Sequence, residues 1–148
     1  MTGVKPVYVE PSIVEPYVKG MHVVLEVRGT IDTHIFEELD GYSIYTRFSN
    51  VLSDLKLDGR RPVALDFSQC TFDGDTPHML LMYAKRILEG YQEWLPVITS
   101  RRNIAYIADK IGKIDPRFFE VYLAPTSSQA GQAGQAEPPA ERADYSPQ

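Results

Sequence analysis

From His22 to Arg28 the chain alternates with a period of two: Val23, Leu25 and Val27 fall on one face, Val24, Glu26 and Arg28 on the other. That spacing predicts a β-strand, which Gly29 is expected to end. Upstream, Val7-Tyr8-Val9 and Ser12 to Val18 read as short extended segments, and Pro11 and Pro16 suit a sheet edge because proline cannot donate to a ladder. Lys19-Gly20 reads as a hairpin turn. Beyond Gly29 the period changes. Tyr45, Phe48, Val51, Leu52 and Leu55 recur at helical spacing, which predicts a helix from about Thr33 to Leu55 with Asp32 and Thr33 as N-cap residues. Asp40-Gly41 is expected to kink or break it near Leu39.

After the Asp58-Gly59-Arg60-Arg61-Pro62 turn, Val63 to Phe67 reads as the next strand. A helix is predicted over Pro77 to Glu89, with Thr76 as N-cap, Pro77 at the first position and Gly90 past the end. Leu80, Leu81, Tyr83, Ala84, Ile87 and Leu88 make it apolar over most of its girth, so it is expected to be largely buried. Trp94 to Thr99 reads as a strand, and Ser100 as the cap of a third helix with Ile104, Ile107, Ala108 and Ile111 on one face and Gly112 at its end. Phe118 to Leu123 reads as the last strand. The order β-β-α-β-α-β-α-β predicts an α/β fold: a four- to five-stranded mixed sheet, mostly parallel, with three helices packed on it.

Composition changes this picture at one end. Pro125 to Gln148 contains no Val, Ile, Leu, Phe or Met, so it is expected to be a disordered tail behind a domain spanning residues 1–124. Charge and chemistry narrow the function. A net charge of −5, with no basic cluster beyond Arg60-Arg61 and Arg101-Arg102, argues against a nucleic-acid partner. Cys70 is alone, and His22, His34 and His78 lack metal-ligand spacing, so no disulfide, metal or cofactor is expected. No apolar run approaches the roughly 20 residues that span a bilayer, and the opening MTGVKPVYVEPSIVEP lacks the basic and apolar parts of a signal peptide. A cytoplasmic protein without direct membrane insertion is expected.

The most informative stretch is the joint Asp73-Gly74-Asp75-Thr76-Pro77 with His78, between a buried strand and a helix N-terminus. Such joints collect function because free N–H groups there favour negative charge. Three features around it form an ordered set: Gly29, Ile31 and Asp32 in VVLEVRGTIDT; Leu65-Asp66-Phe67-Ser68, then QCTF, then DGDTP; and WLPVITSRRNIAYIADKIG followed by FFEVYL. In order and spacing, Ser12 to Leu123 resembles a STAS domain, the fold of anti-sigma-factor antagonists and of sulfate-transporter cytoplasmic domains. The resemblance implies a non-catalytic regulatory module that binds a protein partner, either an anti-sigma-factor-type kinase or a regulatory or transport complex. Homo-oligomerisation stays open.

The resemblance also implies a phosphoacceptor. Aligned from Asp66, the family's phosphorylated position falls on Thr76, with Asp75, Gly74 and Pro77 replacing the family's Ser, Asp and Gly. A one-residue shift restores Asp73 as the family Asp but leaves no hydroxyl at either acceptor position. Thr76 therefore reads either as a phosphorylation site or as a helix cap, and Asp75 either as a partial phosphate mimic or as a helix-start acid. The partner-binding candidates are Asp73, Gly74, Asp75, Thr76, Pro77 and His78. A scaffold or transport-complex subunit that uses the same fold without phosphorylation is a second reading. Asp73-Gly74-Asp75-Thr76 is also similar to the D-x-D-[TV] loop of haloacid-dehalogenase-like phosphatases, which implies Mg²⁺-dependent phosphate chemistry. Against that, the loop of those enzymes follows its strand directly, whereas Ser68 to Thr71 are expected to intervene here.

Overall fold

In the computed structural model, residues 8–37, 41 and 43–125 are described. The expectations for Val7, for Asp40 and for the tail from residue 126 onward lie outside the described residues. The elements are β1 (Ser12–Ile13), β2 (Tyr17–Lys19), β3 (His22–Ile31), α1 (Ile44–Asp58), β4 (Val63–Phe72), α2 (Thr76–Leu88), β5 (Leu95–Thr99), α3 (Ile104–Ile114) and β6 (Phe119–Leu123). One-turn 3-10 helices at Thr33–Phe36 and Arg101–Asn103 precede α1 and α3.

The sheet order is β1-β3-β4-β5-β6, with β2 also paired to β3. β1 and β2 run antiparallel to β3, and β3 through β6 are parallel. The sheet thus has six strands rather than four or five, because the Pro16-interrupted edge forms two short pieces. The fold is α/β, consistent with a STAS-like arrangement. Each new parallel strand is added on the same side of the last. Right-handed crossovers then place all three helices on one face. Leu25, Val27, Leu65, Phe67, Val97 and Val121 of that face share one core with Phe48 and Leu52 of α1, Leu80, Leu81, Ala84 and Leu88 of α2, and Ile107 and Ile111 of α3.

Several boundaries differ from the expected ones. β3 runs through Gly29 to Ile31, and β4 runs five residues past Phe67 to Phe72. The register explains both. Glu26 pairs with Asp66 but Arg28 pairs with Gln69, so β4 carries an extra residue there, a bulge. The Ser68 N–H donates to Oδ1 of Asp66, two residues earlier on the same strand, at 2.8 Å within the bulge. Alternation fails for three residues and then resumes with Cys70 back in the core. The expected long helix begins instead as the 3-10 turn, where Asp32 accepts from the His34 N–H, and restarts at Ser43, whose hydroxyl accepts from the Thr46 N–H. Tyr8 and Val9 form no strand. Gly112 does not end α3, which continues to Ile114.

The opposite face of the sheet carries Val24, Glu26, Ala64, Asp66, Ile98, Glu120 and Tyr122 by alternation. Arg28 donates to Glu26 at 2.7 Å. Burial, with Asp66 and Glu26 nearby, pushes the Tyr17 hydroxyl up to about 12. Burial also holds the Asp66 carboxyl above its ordinary 3.8; the bond from Ser68 opposes the rise and Glu26 adds to it. A carboxyl whose folded value lies above its unfolded value favours folding while protonated. That contribution is full below the unfolded value and is lost as pH rises through the raised folded one. Asp66→Asn keeps an acceptor for Ser68. It is expected to match the parent in urea denaturation below pH 3.8 and to exceed it at neutral pH. An advantage that does not grow as pH rises would contradict this assignment.

Candidate functional site

Because β3, β4 and β5 are parallel, their carboxyl ends meet at one edge, the position where α/β sheets commonly bind. Asp32 to Phe36, Asp73 to Asp75 and Ser100 to Asn103 follow these three strands. The Asp73 N–H donates to Ile31 O at 3.0 Å, and Asn103 Nδ2 donates to Cys70 O at 3.0 Å. The loop is therefore continuous with the end of β4. Asp73 follows Phe72 directly, which corrects the expectation that a polar segment separates it from its strand.

α3 holds this loop down. The Tyr106 hydroxyl donates to Gly74 O, and its ring lies 5.4 Å from that of Phe72. Lys110 Nζ donates to Asp75 Oδ1 at 2.8 Å. That ammonium holds the Asp75 carboxyl below the ordinary carboxylate range, and the same bond raises Lys110. Burial raises the Tyr106 hydroxyl. Sequence reasoning missed both residues. Their four-residue spacing on α3 gives them a common face, which was the available signal.

The helix start also differs from the expected one. Thr76 is the first helical residue, and Asp75 takes the N-cap position without a side-chain cap bond. The Asp75 carboxylate is drawn instead to Lys110, and Pro77 removes one of the N–H groups a cap would serve. Thr76 is therefore not the cap. It is only 5% exposed, and its hydroxyl makes no hydrogen bond with another described residue. Asp73, Gly74 and Asp75 are exposed, His78 is half-buried, and Thr76 and Pro77 are buried.

α2 is two-faced rather than largely buried. Leu80, Leu81, Ala84 and Leu88 enter the core, whereas Met79 and Met82 are 45% and 49% exposed. Beside them runs a ladder of rings, with Phe36 4.9 Å from Tyr45 and Tyr45 5.1 Å from Tyr83. Burial is the main cause of the raised Tyr45 hydroxyl.

Cys70 is buried, donates its thiol to Val27 O at 3.1 Å and is pushed up by burial, which fits a packed residue better than a reactive one. Among the described residues no group of three His, Cys, Asp or Glu gathers to hold a metal ion, and no helix is long and apolar enough to cross a membrane. No family model matches the chain, and no curated protein matches it.

The Asp75 end of the Lys110–Asp75 pair is open to solvent, which screens the pair, so it orders the loop more than it stabilises the domain. Lys110→Met is expected to speed amide exchange over residues 73–76 with little change in thermal midpoint. Unchanged exchange there would mean that Tyr106 alone holds the turn.

Proposed function

We propose that this chain is a non-catalytic regulatory module that acts by binding a protein partner in the cytoplasm, in the manner of a STAS-like anti-sigma-factor antagonist. The docking surface is the Asp73–Asp75 turn with His78 and the outward side of α2. The carrying observation is the combination of an exposed turn, fixed by Tyr106 and Lys110, with the exposed methionines Met79 and Met82 beside it. A rigid polar turn beside adaptable apolar side chains suits recognition, because little ordering entropy is lost on docking.

A second reading is favoured by the burial of Thr76: the same surface serves a scaffold or transport complex without phosphorylation. Because Thr76 is buried, a kinase reaches its hydroxyl only after this part of the chain opens. Recovery of the chain from its native cells and mass spectrometry of its 73–78 peptide separates the two. Phosphate on Thr76 supports the switch, and its absence from both partner-bound and free protein supports the scaffold. For either reading, a paired Asp73→Arg, His78→Ala variant is expected to lose specific partner proteins in affinity capture while keeping its fold. An identical captured set would overturn the loop as the docking surface.

A further inference from the structure

Along α2, Met79, Met82, Tyr83 and Arg86 stand at i, i+3, i+4 and i+7, a single helical stripe. With Tyr45 of α1 and Ile114 of α3 on its flanks, the stripe lines an open groove of about 420 Å³. Two kinds of side chain here are those that concentrate binding energy at interfaces. Tyrosine and arginine are enriched at hot spots, and methionine adapts its shape to an apolar partner.

The charges along the groove are unequal in their state. Lys85 is bonded to Glu89 at 3.1 Å and lies 3.9 Å from Asp115. Glu89 is therefore already neutralised locally. Arg86 is exposed and makes no ion pair with any described residue, and its charge is felt by the Tyr45 hydroxyl. An apolar floor with a guanidinium at its side that no described residue pairs with is complementary to a partner carrying an apolar stripe and a carboxylate. The stripe from Met79 to Arg86 extends about 10 Å, close to two turns, the length over which a docked helix presents its own i, i+3/i+4, i+7 stripe.

We propose that the groove along α2 receives an acidic amphipathic helix of a partner protein, its apolar stripe seated on Met79, Met82, Tyr83 and Tyr45 and one of its carboxylates paired with Arg86. This rests on the reading of the chain as an interaction module and names the chemistry of its partner.

The test uses the full chain and two synthetic helical peptides with the same leucine and phenylalanine stripe, one flanked by glutamates and the other by lysines. Binding is read by fluorescence anisotropy. The glutamate peptide is expected to bind about tenfold or more tightly than the lysine peptide, and the gap to shrink as salt is raised. Arg86→Glu is expected to reverse the preference, and Met82→Asp to abolish binding of both peptides. Both positions are exposed, so circular dichroism and thermal midpoint should be unchanged in these variants. Equal affinity for the two peptides, no binding of either, or a preference unaffected by Arg86→Glu would overturn the proposal. Native partners still captured by both variants but lost from the Asp73→Arg, His78→Ala protein would overturn the groove while leaving the interaction module in place. Capture unaffected by any of the variants would remove that reading too.

Discussion

Gly29→Ala is expected to lower the thermal midpoint by roughly 10 °C, from a loss of about 3 kcal/mol at about 4 °C for each kcal/mol in a domain of this size. Two costs add. Gly29 has φ 95°, a conformation that costs an L-residue about 1–2 kcal/mol. A Cβ there would also lie 2.6 Å from Glu10 O and 2.8 Å from Pro11 Cα, and such crowding costs about 1–3 kcal/mol. Neither neighbour can rotate away, because both are backbone. The close approach exists because Val9 lies against the end of β3, accepting from the Thr30 N–H at 2.8 Å while its own N–H donates to Thr30 Oγ1 at 3.2 Å. Gly20 provides the control. It has φ 65° but nothing within 4 Å of a built Cβ, so Gly20→Ala should cost only about 1 kcal/mol. Equal losses in the two variants would show that the packing of residues 9–11 on β3 is not what requires glycine at position 29.

Gln92→Ala is expected to cost about 2 kcal/mol or more. Gln92 acts as a piece of strand made from a side chain. Its Oε1 accepts from the Val63 N–H at 2.9 Å, and its Nε2 donates to Val63 O and to Trp94 O, each at 2.9 Å. β4 pairs with β5 only at Leu65 and Asp66, so Val63 has no strand neighbour on that side and the amide supplies one. Val63 is fully buried, and each backbone group left without a partner there costs about 1–3 kcal/mol. Gln92→Glu keeps the acceptor and loses both donors, so it should be destabilising too. Urea unfolding checks both variants, with a lowered midpoint and an unchanged slope. A loss under about 0.5 kcal/mol, the range of ordinary surface changes, would mean that water replaces the amide at no cost.

These two residues show what a sequence reveals and what it conceals. Gly29 stands out in a strand pattern, since glycine weakens a strand and so demands a reason. The reason, a backbone crossing at Glu10 and Pro11, is a long-range contact that no local pattern displays. Gln92 gives no signal at all; it reads as a loop residue. The order of elements was legible because Val23, Leu25 and Val27, and then Phe48, Leu52 and Leu55, follow different periods that burial enforces. The ends of β3 and β4 were not, because the bulge at Ser68 breaks alternation where pairing continues. The site was legible as a place: the Asp73–Pro77 joint does lie at the carboxyl edge of the sheet. Its internal arrangement was not. Asp75 turns to Lys110, thirty-five residues away, and so leaves the cap position without a side-chain bond. Arg86 was visible as a charge on the predicted helix, but that it pairs with no described carboxylate emerges only when Lys85 is seen to take Glu89.

In the function proposed here, the turn at Asp73 and the outward side of α2 form one docking surface for a protein partner. Its most direct test is site-specific photo-crosslinking in the native cell, with the reactive group placed in turn at Asp73, at Met82 and at Val18. Val18 is 57% exposed on the edge strand and serves as the remote control. The same partner protein is expected to be joined to positions 73 and 82, and none to position 18. Adducts of that partner at position 18 alone, or at no position, would contradict it.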